Sequence, residues 1–128
     1  MRENKSERPL FWVASSKNDL LDMSEDVRKD FGYGLHQAQN GMHPDIGKIM
    51  RGFKGANVVE LVSDHKGDTF RAVYTVRFEE VLVVLHAFQK KSKKGIETPK
   101  QDIDLIHSRL KLAEEIYYDW KSKKGKND

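Results

Sequence analysis

Three β-rich runs follow one another in the middle of the chain: VVELVS (58–63), TFRAVYTVRF (69–78) and VLVVLHAFQ (81–89). Valine, threonine and aromatic residues dominate them, and such side chains suit a pleated surface. Turn chemistry separates the runs. DHKGD (64–68) carries Gly67, and Glu79-Glu80 fills the second gap. Gaps this short connect antiparallel neighbours, because a parallel crossover needs a dozen residues or more. The pattern predicts an antiparallel meander, and the rest of the chain must cover it.

Helical signals lie on both sides. Thr98, Pro99 and Gln101 form a helix start, with Thr98 as N-cap and proline at the first helical position. Ile103, Ile106, Leu110, Ala113, Tyr117 and Trp120 then recur every three or four residues, predicting a helix to about residue 121 whose stripe covers one sheet face. Upstream, Pro9 opens LFWVAS, a short first strand. Ser16 and Asp19 start a brief helix. Ser24 restarts the pattern, and Val27, Phe31, Leu35 and Ala38 predict an amphipathic helix over 25–39, with Gly32 and Gly34 working against it. Residues 40–57 hold five glycines and prolines among Lys48, Arg51 and Lys54, and read as a basic connecting loop. The order is β-α-α-β-β-β-α. This predicts an α+β fold with a helical hairpin, a small twisted, mainly antiparallel sheet and a C-terminal helix. One domain is expected over 9–121, with a flexible N-terminus (1–8) and a flexible basic tail (122–128).

The chain has 128 residues and no cysteine, so disulfides and thiolate metal sites are excluded. No stretch approaches the ~20 apolar residues of a membrane helix. No signal-peptide core is seen, so a cytoplasmic location is expected. Charge is unevenly spread. Residues 48–100 carry 11 basic and 6 acidic residues, a net of +5, whereas 1–47 carry 6 and 8, and 101–128 carry 6 of each. An anionic partner should therefore meet the middle of the chain.

Strand alternation with Glu79-Glu80 as a two-residue turn pairs Arg71 with Phe88, so that Arg71, His86, Phe88 and Lys90 share a face. The same alternation adds Leu82 and Val84 to that face. An arginine, a lysine, an imidazole and an aromatic ring together can hold a phosphate, move a proton and stack a base. Plainer readings stand beside this one. Arg71 can pair with a neighbouring glutamate, His86 can be a satisfied core histidine, and Lys90, Lys91, Lys93 and Lys94 can be a charged strand end that resists edge pairing. The remaining histidines show no ligand spacing, and neither a metal nor a cofactor is expected.

The segments KIMRGF (48–53), VVELV, TFRAVYTV and VLVVLHAFQKKSKKGIETP resemble the RelE/HigB superfamily of bacterial toxins, in particular its phage-derived HigB-like branch. The likeness runs from about Pro9 to about Ala113. It implies the RelE/ParE-like fold, and the toxin of a type II toxin–antitoxin system: a ribosome-dependent endoribonuclease, or mRNA interferase, that needs no metal. The implied partners are a cognate helix-turn-helix antitoxin, the ribosome and messenger RNA, with operator DNA reached only through the antitoxin. The resemblance implies catalytic roles for Arg71, Lys91, Lys90 and His86. It implies RNA or ribosome contacts for Lys48, Arg51, Lys54, Phe88, Lys93 and Lys94. The chain departs from the RelE pattern in having Glu60 and apolar residues where that type has strand lysines, in lacking the C-terminal tyrosine, and in its longer SKKGIE link. Two alternatives carry the same fold or surface: a ParE-like poison of DNA gyrase, and a non-catalytic module that binds RNA or docks an antitoxin.

Overall fold

A computed structural model describes residues 7–90 and 98–126. Strand β1 (Leu10–Trp12) leads into helices α1 (Ser16–Leu21) and α2 (Glu25–Gln39). Strands β2 (Gly47–Ile49), β3 (Val58–His65), β4 (Asp68–Thr75) and β5 (Leu82–Lys90) follow, and helix α3 (Lys100–Lys126) closes the chain. Among the described residues the sheet has five strands in the order β1-β5-β4-β3-β2. Strand β1 runs parallel to β5, and the other pairings are antiparallel. The expected α+β class, meander and C-terminal helix are all present, and the architecture is that of a RelE-like fold.

The sheet is covered on both faces. Leu20, Val27, Phe31, Leu35 and Ala38 of the helical pair pack on Leu61, Ala72, Tyr74, Leu82 and Val84. Ile106, Ala113 and Tyr117 of α3 pack on Val58, Val73, Val83 and Leu85. Double burial explains why VLVVL is continuously apolar rather than alternating. Gly34, which weakens α2 as a helix, has a packing reason. A Cβ there would stand 3.1 Å from Leu61 Cδ1, so the missing side chain lets α2 approach β3.

The turn between β3 and β4 is tight. His65 pairs with Asp68, and Lys66 and Gly67 both take positive φ (51° and 85°). Two consecutive left-handed residues make the primed turn that matches strand twist. The link between β4 and β5 is longer than the two residues expected, because β4 ends at Thr75 and β5 begins at Leu82. A bulge compensates for it. Val73 pairs with His86 but Tyr74 pairs with Val84, so Leu85 is an extra residue in β5. Above the bulge the register is the expected one, with Arg71 opposite Phe88. Below it the faces exchange, which sends Leu82 and Val84 to the α1/α2 side instead of the face that carries His86.

Two further details differ from the sequence reading. The stretch 40–57 contains β2, a three-residue edge strand that pairs Lys48 with Glu60. Helix α3 continues to Lys126, past the end of its apolar stripe at Trp120.

Candidate functional site

Alternation along β3, β4 and β5 aims Glu60, Arg71, His86, Phe88 and Lys90 to the α3 side of the sheet. Helix α3 begins beside them at Lys100, directly after Thr98 and Pro99. The expected grouping of Arg71, His86, Phe88 and Lys90 on one face is therefore present, with Lys90 opposite Thr69 at the end of β5.

Arg71 is 4% exposed. Its Nη1 donates to Glu60 Oε1 at 2.7 Å and to the Thr98 hydroxyl at 3.3 Å. Thr98 in turn donates to Glu60 Oε2 at 2.7 Å. Thr98 was expected as the N-cap of α3, but its hydroxyl completes this triangle instead. The Pro99 carbonyl accepts the first backbone bonds of the helix, from Asp102 and Ile103. Glu60, buried within an otherwise apolar strand, is thus the anionic half of a desolvated ion pair.

His86 belongs to a second network. Its Nε2 lies 2.8 Å from Asp102 Oδ1, and its Nδ1 lies 3.3 Å from Arg109 Nη1. A guanidinium has only donors, so Nδ1 must accept and Nε2–H must donate to Asp102. The imidazole is therefore held neutral in one tautomer. Burial, its largest influence, pushes His86 below the ordinary histidine range; Asp102 opposes this and Arg109 adds to it. Arg109 is fixed by the Leu85 carbonyl at 2.9 Å, the carbonyl of the bulge residue. The His86 ring stacks on Phe88, with centroids 4.5 Å apart and planes 16° apart. With both nitrogens engaged, this geometry suits a residue that orients Phe88 and ties α3 to β5.

Lys90 is buried at the last position of β5. Lys91, Lys93 and Lys94 lie outside the described residues. Lys48 is exposed on β2, on the same face as its register partner Glu60. Arg51 and Lys54 are exposed in the loop that follows. Lys54 does not join the Arg71 face; it lines a groove beside α3 with Arg77 and Lys111. Among the described residues no group of three or more histidine and carboxylate side chains is arranged to hold a metal, and no helix is long and apolar enough to cross a membrane.

Sequence reasoning missed four members of these networks: Glu60, Thr98, Asp102 and Arg109. Glu60 left a signal, being a lone carboxylate in an apolar strand next to a strand with a lone internal arginine. Asp102 and Arg109 are seven residues apart, two turns of one helix, beside the apolar stripe.

A mixed sheet with a helical pair on one face and a C-terminal helix on the other defines a protein of the RelE-like fold. The profile of the phage-derived Gp49-like proteins (DUF891) matches residues 18–111, most of the chain. The chain belongs to this family, a toxin family of toxin–antitoxin systems related to RelE and HigB. Membership implies a cognate antitoxin as partner. No curated protein and no solved structure shows significant similarity to the chain.

Proposed function

We propose that this toxin is a ribosome-dependent endoribonuclease that cleaves translated messenger RNA through the Glu60–Arg71 pair. The observation that carries the reading is the Thr98 hydroxyl. It lies between a carboxylate that accepts its proton and a guanidinium that donates to its oxygen. A ribose 2′-hydroxyl in the same place meets a general base on one side and a phosphate-binding cation on the other.

In this reaction Glu60 takes the 2′ proton as the 2′ oxygen attacks the adjacent phosphorus. The bond from phosphorus to the 5′ oxygen then breaks and solvent water gives the leaving oxygen a proton, leaving a 2′,3′-cyclic phosphate and a 5′-hydroxyl. Arg71 and Lys90, with Lys91, stabilise the charge that develops on phosphorus. Phe88, backed by His86, offers a ring to a neighbouring base. His86 acts as a positioning residue here, holding Phe88 through the ring stack and α3 through Asp102. Lys48, Arg51, Lys93 and Lys94 supply attraction to ribosomal RNA. The modest net charge of the central segment favours a target whose geometry the ribosome presents.

The test combines growth and cleavage. Expression without antitoxin should arrest growth with translation stopping first, and Arg71→Ala should relieve the arrest. Purified chain should cut translated messages and leave naked RNA largely intact. In single-turnover cleavage, Glu60→Gln should slow the step by roughly 10²-fold or more. Undiminished cleavage by folded Glu60→Gln removes the base assignment. Arrest of replication ahead of translation points instead to the gyrase-poisoning alternative.

A further inference from the structure

A groove of about 530 Å³ lies between the loop at residues 52–56 and helix α3, apart from the Arg71 triangle. Its floor is apolar, built from Phe53, Ala56 and Leu110. Its rim is cationic. Arg77 is paired with Glu114 at 2.9 Å. Lys54 and Lys111 are exposed and form no ion pair among the described residues. Two uncompensated ammonium groups thus flank a strip of hydrophobic surface.

We propose that this groove docks an acidic amphipathic segment of the antitoxin. The inference rests on the toxin assignment but not on the nuclease chemistry. Two features favour a peptide over RNA. Phe53 is only 7% exposed and lies under the His107 ring at 4.3 Å, so its own face is closed to a base. Ala56 and Leu110 line the groove beside it, and apolar side chains give a phosphate chain nothing to bind. A peptide uses both parts of the surface. Its apolar side chains cover the floor, as in helix-in-groove recognition. Its carboxylates meet Lys54 and Lys111, and Lys54 then serves the protein partner rather than ribosomal RNA.

The test uses the full chain and the protein that suppresses its growth arrest on co-expression, purified and titrated against it at two salt concentrations. His107 and Lys111 are exposed and one helical turn apart, and because the His107 ring covers Phe53 the fold of the double variant is checked by thermal unfolding first. Lys111→Glu should weaken binding on the order of tenfold, and His107→Glu/Lys111→Glu on the order of 10²-fold, with a flatter salt dependence. Both variants should still arrest growth, and the antitoxin should rescue the double variant poorly. The Lys17→Glu/Arg28→Glu variant, on α1 and α2, changes the net charge by more than the double variant does and should still bind as the parent does. The proposal is overturned if the folded double variant binds within about threefold of the parent, a difference well below one tenfold step. It is equally overturned if the control loses as much affinity. Retained antitoxin affinity with lost ribosome co-sedimentation would make the groove an RNA surface. A parent chain that never arrests growth overturns the toxin assignment itself, and this inference falls with it before any variant is compared.

Discussion

Replacing Glu60 with leucine tests the desolvated pair at the centre of the sheet face. The substitution removes the carboxylate 2.7 Å from a guanidinium that is 4% exposed. Breaking a buried ion pair from one side costs about 3–5 kcal/mol, because the guanidinium stays buried after the Glu60 carboxylate is gone. The Thr98 hydroxyl still accepts from Arg71 but loses its own acceptor, which adds about 1 kcal/mol. Near the lower end of that range the total is about 4 kcal/mol. At roughly 3–5 °C per kcal/mol for a domain of this size, Tm should fall by about 12–20 °C. The double variant Glu60→Leu/Arg71→Met removes both charges. Its apolar side chains then sit beside Val73 and Val62, the register partners of Glu60 and Arg71. It should recover most of the loss and return to within about 1 kcal/mol of the parent. Urea unfolding of the parent, both single variants and the double variant gives the coupling energy directly. A Glu60→Leu cost under about 1 kcal/mol, or a double variant no more stable than Glu60→Leu, would refute the reasoning. The double variant should also fail to arrest growth although folded, which separates the pair's structural role from its chemical one.

Other consequences follow from the same geometry. His86 is held below its unfolded pKa of about 6.5, so the unfolded chain binds its proton first on acidification; its contribution to stability is complete above that pH and falls below it. Urea midpoints at about pH 7 and pH 5 should therefore diverge more in the parent than in His86→Gln, and an equal divergence refutes the assignment. The two glycines of α2 should respond with opposite signs. Gly32→Ala meets nothing within 4 Å and should stabilise by about 0.5–1 kcal/mol, whereas Gly34→Ala is driven against fully buried Leu61 and should cost about 1–3 kcal/mol, both read by thermal unfolding. Thr98→Val should cost about 1–2 kcal/mol by leaving Glu60 Oε2 short of a donor, and no change in the urea midpoint would place the hydroxyl outside the pair.

Local chemistry made most of the elements readable from the sequence. Helix α2 covers Glu25–Gln39, the stretch its apolar spacing marks out. Lys66-Gly67 set the β3/β4 turn, because consecutive positive-φ positions favour glycine and only one strand register follows from such a turn. The apolar run of β5 marked it as a strand, while its burial on both faces came with the packing of the helices. Other features depended on competition between distant segments. The β4/β5 link is six residues long, and only the bulge at Leu85 restores the pairing of Arg71 with Phe88. Thr98 has the chemistry of an N-cap, yet a buried ion pair with open hydrogen-bonding positions drew its hydroxyl away from the helix. Strand β2 contains only Gly47, Lys48 and Ile49, too short to leave a periodic signal, and it forms because β3 offers an edge. The sequence by itself determined which segments become helices and strands, since spacing, caps and turn residues act within a few positions of one another. Only the tertiary structure decided which polar side chains meet. A buried charge must find its counter-charge wherever the fold brings one, and Glu60 with Arg71, or His86 with Asp102 and Arg109, become partners only when sheet register and helix docking are set together.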